Sequence, residues 1–229
     1  AKHELEYKDV TDNSIYMKFP FADEKDKFLI IWTTTPWTIP LNLAIMVNPQ
    51  MQYAEVSIGE ETWVVASSLL ETVMKKAKIE KYQVISKFPG KDLEGIKYIH
   101  PLNLKVHLPA ELQSNQKLYT VLLSSEYVDD SAGTGLVHCA PGCGPEDYEV
   151  GHLYHIPPFN CVNEEGIFED LGEFSGWRAK VDDSKFITAL ENVDSIIAKE
   201  PYVHEYPYGE RSHEPVIFRT TKQWFFKVE

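Results

Sequence analysis

Three consecutive threonines, Thr33, Thr34 and Thr35, are the first side chains whose type and spacing could do chemistry. They follow a bulky apolar run in "IIWTTTPWTIP", between two tryptophans. A hydroxyl both donates and accepts hydrogen bonds, so three in a row could bind the polar groups of a ligand. Threonine also has a high β propensity, which explains the same residues as ordinary strand positions.

A second group of candidate side chains comes from "DDSAGTGLVHCAPGCGPEDYEVG", residues 129–151. His138 ends a predicted short strand, and Asp147 lies in the first turn of a predicted helix that Pro145 opens. The two could face one cavity, where histidine offers a titratable ring or a shaped wall and the carboxylate binds a cationic amine. A packed structural histidine and an aspartate favoured by the helix dipole are the simpler explanations.

A zinc site is an alternative use of the same region. Cys139 and Cys143 precede His152 and His155, but neither spacing is a usual one for zinc. The chain has three cysteines, an odd number without the density of a disulfide scaffold. This favours a reducing, cytoplasmic location.

Several common catalytic motifs are missing from the sequence. It contains no GxxxxGK[ST] phosphate loop, GxGxxG turn, GxSxG elbow or HExxH pair. The chain therefore shows no obvious means of binding ATP or a dinucleotide.

Short β-type runs must position these side chains. Val, Ile, Tyr, Phe and Thr are enriched in six runs bounded by turn residues. The predicted strands are residues 14–19, 28–34, 52–58, 62–66, 119–123 and 216–221, with a further short strand at "LVH".

Helices are fewer. Helical periodicity covers residues 67–78, where Ser68 and Glu71 fit a capping box, and residues 183–199 as far as Ile197. The balance predicts a mainly β domain with a few helices (α+β), built as a closed or partly closed barrel. The Pro- and Tyr-rich stretch from about residue 200 onward is predicted to be a linker.

Bulk composition narrows the function further. The 229 residues carry a net charge of −13, and 43% are hydrophobic. Such an acidic chain is a poor non-specific binder of nucleic acid, so a nucleic-acid partner must be met in a pocket or held by another part of a larger protein. The sequence shows no signal peptide and no apolar run long enough to span a bilayer. Its polar start without Met and its aromatic end, "QWFFKVE", suggest a segment of a longer protein.

Two motifs in the right order, "WTTTPWT" and "GTGLVHCAPGCGPEDY", resemble the editing domain of isoleucyl-tRNA synthetase. That domain is a large insertion, the connective peptide, in a class I synthetase. "EEGIF…LGEFSGW" and "FRTTKQWFFKV" are similar to the same family, so the resemblance covers essentially the whole chain. One departure is Gly209-Glu210-Arg211, where the family usually has Cys-Trp-Arg after "HEYPY".

The resemblance implies a β-barrel-like domain over residues 1–200 and an exit segment over 201–229 that leads back to the catalytic domain. It implies hydrolysis of valine misattached to isoleucine tRNA, in a pocket lined by the threonine triplet. Asp147 matches the position that binds the α-ammonium of valine, and His138 matches the one whose bulk rejects isoleucine. Trp32 is expected to close the same wall, and Trp37 to lie in the core.

The same resemblance implies the partners. These are the 3′ end of isoleucine tRNA carrying valine, valyl-adenylate, and the rest of the synthetase, with the chain itself a monomer and no membrane involved. No metal or cofactor is expected in this domain, because the HIGH and KMSKS motifs that use ATP and Mg are absent. A non-catalytic aminoacyl-binding module and a small zinc-binding domain remain the alternatives.

Overall fold

The computed structural model describes residues 5–102, 108–221, 223–224 and 226. The resemblance motif at 218–228 lies in part outside these residues. No helix in the described part of the chain has the length and apolar character needed to cross a bilayer.

In the part of the chain that the structure describes, nine strands form two sheets. They are β1 (Leu5–Pro20), β2 (Lys27–Thr33), β3 (Ala44–Val47), β4 (Gln52–Ile58), β5 (Glu61–Ala66), β6 (Gln83–Pro89), β7 (Thr120–Leu123), β8 (Leu136–Cys139) and β9 (Ile196–Gly209). The larger sheet has the order β6-β4-β5-β2-β1-β9, in which only the β2–β5 pair is parallel among the described strands. The smaller has the order β7-β3-β8, with β3 parallel to β7 and antiparallel to β8.

Four α-helices accompany the sheets in the described residues. They are α1 (Leu70–Lys76), α2 (Ala110–Gln113), α3 (Pro145–Leu153) and α4 (Asp183–Asn192). Pro145 opens α3 as predicted, because a first-turn residue needs no N–H partner. The capping box is wrong: α1 starts at Leu70 and has no side-chain cap.

The residue pairing of β1 and β2 decides which side chains share a face. Ile15 is paired with Thr33, and Tyr16 with Trp32. Alternation along a strand therefore places Thr33 on the face of Ile15 and Ile31, and Trp32 on the opposite face. Ile15 and Ile31 belong to the main hydrophobic cluster, which also contains residues of β3 and β8, so the two sheets share one core.

A buried 3₁₀ helix, Pro36–Leu41, follows the threonines. Its Trp37 is 2% exposed and packs in a second cluster with Phe168 and Phe186, as predicted for a core residue. The segment after β2 is thus enclosed by protein on several sides.

Several expectations differ from the structure. Residues 216–221 form no strand, because only the bridge from Tyr208 to Pro215 pairs near them. The helix predicted to reach residue 199 ends at Asn192, since the next residues pair with β1 as β9.

The stretch predicted as a linker also differs, because β9 runs across residue 200 as far as Gly209. The domain boundary at 200 stays a prediction. The strands β3, β6 and β9 were not predicted, nor were residues 5–13 of β1. Across the residues that the structure describes, the strands form two open sheets, and a closed barrel is not shown.

The Gly-Thr-Gly turn before β8 holds the two sheets in contact. Thr134 accepts a 2.8 Å backbone hydrogen bond from Ala66, and the Tyr53 hydroxyl donates to the Gly135 carbonyl at 2.7 Å. Gly135 has φ +75°, and a Cβ on it would lie 2.4 Å from the Ala66 Cβ. A side chain at this position would force the turn away from β5.

Replacing Gly135 should therefore lower the stability by more than the strain of a positive φ alone would. We expect Gly135→Ala to lower the free energy of unfolding by ~2–4 kcal/mol, from strain plus overpacking. Gly59→Ala is the matched control, because Gly59 has φ +60° but open space around it, and it should cost only ~1 kcal/mol. Urea unfolding of both variants measures the difference. Equal losses in the free energy of unfolding would mean that the close approach to Ala66 does not contribute to the cost.

Candidate functional site

The threonine triplet folds into a tight turn at the end of β2. The Thr35 N–H donates to the Thr33 hydroxyl oxygen at 3.0 Å, and the two hydroxyl oxygens lie 3.2 Å apart. Thr33 is buried, whereas Thr34 and Thr35 are partly exposed. The Thr34 hydroxyl makes no hydrogen bond to the described part of the chain, so it is free to meet a ligand or water.

Thr38 connects this turn to His138. Its hydroxyl donates to the Thr35 carbonyl at 2.8 Å and lies 3.0 Å from Nε2 of His138. Because the only hydroxyl proton goes to the carbonyl, Nε2 must be the donor to Thr38. His138 is then the neutral Nε2–H tautomer, and its buried Nδ1 is an acceptor without a partner among the described residues.

His138 is placed by β8, where it is paired with Ile45 of β3. It is 7% exposed. Its pKa is lowered to about 4, mainly by burial and to a smaller extent by the neighbouring His100. The ring is therefore neutral at pH 7, and its Nδ1 is an acceptor with no partner among the described residues.

Asp147 lies in the first turn of α3 and is only partly exposed. Its Oδ2 accepts a hydrogen bond of 2.9 Å from the Ala140 N–H, two residues beyond His138. The pKa of this carboxyl is raised to about 6, mainly by burial and to a smaller extent by Glu146, while the hydrogen bond from Ala140 opposes the shift. A cation placed against the carboxylate would relieve this cost of burial.

Trp32 is not brought together with the threonines. It lies on the opposite face of β2, in an edge-to-face contact with Tyr202 at 4.9 Å between ring centroids. Gly133 packs directly on it, since a Cβ there would lie 2.8 Å from the indole Cε3. Trp32 therefore supports the Gly-Thr-Gly turn from the far side of the strand.

Hydrogen bonds thus connect Thr33, Thr35 and His138 through Thr38. Another hydrogen bond connects Asp147 to Ala140, directly after β8. No hydrogen bond links Asp147 directly to the triplet or to His138 within the described residues. Thr38 is the residue that sequence reasoning missed. The signal for it was its place three residues after Thr35 in "WTTTPWT", the spacing at which a 3₁₀ turn brings a side chain back to a carbonyl.

The residues of the zinc alternative lie in the same region of the chain. Among the described residues, no three His, Cys, Asp or Glu side chains are grouped so that they could hold a metal ion. Cys139 and Cys143 are both buried, and burial raises the pKa of each thiol. Both thiols are therefore protonated at pH 7.

Solved structures define the class of fold. The CP1 of GlLeuRS superimposes with a TM-score of 0.60 at 17% identity, over 86% of this chain and all of that one. The editing domain of the P. falciparum cytosolic leucyl-tRNA synthetase gives a TM-score of 0.57 at 11% identity, over 80% of this chain and 98% of its own. The chain has the fold of a class I synthetase editing domain.

Sequence relatives narrow the class further. The isoleucine–tRNA ligase of Methanocaldococcus jannaschii is 41% identical over 238 aligned residues, which cover all of this chain and 23% of the ligase. No family model matches the chain. The chain spans about a quarter of the length of the curated relatives it matches and is similar in sequence to that part of isoleucine–tRNA ligases. The resemblance seen in the sequence is confirmed.

The raised pKa of Asp147 predicts a pH-dependent stability. The folded state holds this proton more tightly than the unfolded chain, so the stabilising contribution is present in acid and lost as the pH rises through about 6. Asp147→Asn should remove the penalty and stabilise the free chain at pH 8 by ~1–2 kcal/mol, below the full shift because the side chain is partly exposed.

Thermal or urea unfolding at pH 4 and pH 8 checks this prediction. The gain should vanish at pH 4, where the wild-type carboxyl is protonated. Glu111→Gln removes a charge from an exposed side chain in the first turn of α2 and serves as the control, because Glu111 has no part in the pKa shift of Asp147. A stabilisation by Asp147→Asn that is equal at both pH values would contradict the assignment to this carboxyl.

Proposed function

We propose that the chain hydrolyses the ester that joins valine to isoleucine tRNA, and that valyl-adenylate is a second substrate of the same site. The chemical need is clear, because a synthetic site sized for isoleucine cannot exclude valine. One methylene is worth only ~1–3 kcal/mol, and isoleucine against valine is the standard example of this limit. A second site that accepts only the smaller amino acid supplies the missing discrimination.

The observation that carries the proposal is the continuous network from the threonine turn through Thr38 to the neutral His138. Through this network the threonine hydroxyls lie close to the buried imidazole ring of His138, whose two faces are apolar. In this proposal the ester carbonyl lies at the threonines, and the amino acid side chain points toward His138. The extra methylene of isoleucine would then collide with the ring.

Asp147 completes the substrate site in the proposal. Its carboxylate binds the α-ammonium of the aminoacyl group through a charge-assisted hydrogen bond. A partly desolvated carboxylate with a raised pKa gains more from an ammonium ion than one in water does, because the attraction is less screened. This contact would hold the scissile carbonyl in a fixed place relative to the threonines.

Attack by water fits the site better than a covalent intermediate. The Thr33 oxygen already accepts the Thr35 N–H, and the histidine in the network contacts Thr38, not the triplet. With its pKa near 4, His138 is also a weak base. A bound water would therefore add to the carbonyl, and the ribose oxygen would leave with a proton, with the hydroxyls and backbone positioning both. The free hydroxyl of the terminal ribose is a further candidate for orienting the water.

The remainder of the synthetase would supply what this chain lacks. Its ATP and Mg chemistry would attach isoleucine, and its surface would hold the tRNA body, since a chain of net charge −13 repels phosphates. Trp32 would act indirectly by supporting the Gly-Thr-Gly turn. The proposal places this monomeric domain in the cytoplasm, with no metal or cofactor of its own.

Loss of the Asp147 charge should abolish most of the activity. We expect the chain to release valine from valyl-tRNA made on isoleucine tRNA, and Asp147→Asn to lower kcat/KM by ~100-fold through loss of the ammonium contact. Glu146→Gln is the matched control and should keep wild-type activity. If the wild-type chain and the full-length synthetase both fail to release valine, the chain is a binding module and not a hydrolase.

A smaller side chain at position 138 should relax the specificity. His138→Ala opens the wall, so we expect isoleucyl-tRNA to be hydrolysed at a rate within ~10-fold of valyl-tRNA, whereas the wild type spares it. His152→Ala removes an exposed imidazole on α3 and should leave the discrimination intact. Unchanged sparing of isoleucyl-tRNA by His138→Ala would show that another residue forms the wall.

A further inference from the structure

The 3₁₀ helix that carries Thr38 is held by side chains from a distant segment. Pro36 and Pro40 leave it short of backbone donors, and isolated 3₁₀ turns are weak because their hydrogen-bond geometry is poor. All six residues of this helix are buried, so its polar groups must be satisfied by protein. The segment from Tyr98 to His100 supplies one bond to this helix and a second to Asn42, the residue that follows it.

His100 provides the first bond. It is 5% exposed, and its Nε2 lies 2.9 Å from the Ile39 carbonyl oxygen. A carbonyl cannot donate, so Nε2 carries the proton, and Nδ1 accepts from the Leu102 N–H at 3.3 Å. Both ring nitrogens are thus satisfied in one neutral tautomer. Burial also lowers the pKa of the ring to about 4, which keeps it in that state.

Aromatic neighbours fix the orientation of this ring. Phe19 and Tyr119 contact it edge-on, with centroid distances of 6.3 Å and 5.7 Å. The Nε2–H of His100 therefore points at Ile39 with little freedom to swing. A donor held this rigidly sets the position of the group that it binds.

Tyr98 provides the second bond, just beyond the end of the 3₁₀ helix. Its hydroxyl donates to Oδ1 of Asn42 at 2.5 Å, and the Asn42 N–H donates back to the Ile39 carbonyl at 3.0 Å. The Ile39 carbonyl therefore receives two donors. Since Thr38 is the preceding residue, a shift at Ile39 would move the Thr38 hydroxyl relative to both Thr35 and His138.

We propose that His100 is a positioning residue for the hydrolytic site: its hydrogen bond to the Ile39 carbonyl sets where Thr38 holds the threonine turn and His138. His100 contacts no part of the substrate in this proposal. The kinetic consequence rests on the proposed function, whereas the effect on His138 is a property of the folded chain alone.

The test compares His100→Leu, which removes both ring nitrogens, with His100→Gln, whose amide keeps a neutral N–H donor of similar reach. With valyl-tRNA we expect His100→Leu to lower kcat ~10–100-fold while KM changes less than ~3-fold, because displacement of a positioned group affects the transition state most. It should also begin to release isoleucine. His100→Gln should restore kcat to within ~3-fold of wild type.

Ser195→Ala controls for lost stability. It deletes another buried hydrogen bond, from the Ser195 hydroxyl to the Leu190 carbonyl at 2.8 Å, at a place remote in the chain from the threonine turn. It should unfold at lower temperature yet keep both its rate and its discrimination. A loss of activity in Ser195→Ala equal to that in His100→Leu would overturn the positioning role.

A second readout needs no activity. Nitrogen-15 NMR of the imidazole rings should show His138 as the Nε2–H tautomer in the wild type and in His100→Gln, and a mixture of tautomers in His100→Leu. A single unchanged tautomer in His100→Leu would overturn the proposal. If the wild type releases no valine in any context, the proposed function fails, and the NMR result still decides the role of His100.

Discussion

The hydrogen bond between the Thr38 hydroxyl and the His138 imidazole joins parts of the site that lie 100 residues apart in the chain. It depends on the 3₁₀ helix after β2 on one side and on β8 on the other. Because the hydroxyl proton is used by the Thr35 carbonyl, this single bond also decides the tautomer of the histidine. The geometry of the turn and the chemistry of the ring are therefore set together.

Burial changes the acid–base properties of these polar groups and also has a cost in free energy. A neutral histidine in the interior loses its basicity and keeps its shape, while a partly buried carboxylate is destabilised until a cation arrives. The domain tolerates the cost of partly burying the Asp147 carboxylate because a large core shared by the two sheets supports the loop around it.

Much of the fold and part of the site could be predicted from sequence patterns. The β-rich runs matched β1, β2, β4, β5 and β7, because apolar and β-branched residues cluster where a sheet is buried. The patterns failed for "AIMV" in β3, which is too short and too uniformly apolar to show alternation, and for the edge strand β6, which is mostly exposed. They failed at the end of α4 because pairing with β1 overrides helical periodicity there.

By itself the sequence determined the family, a mainly β fold, and the residue types in the two motifs that supply hydroxyls, an imidazole and a carboxylate. Strand alternation alone could also have separated Trp32 from Thr33, since neighbours on a strand face opposite sides. Only the tertiary structure decided that Thr38 links the two motifs, that His100 bonds the neighbouring Ile39 carbonyl, and that His138 is neutral. Those facts depend on distances across sheets and on burial, which arise from contacts between residues far apart in the chain.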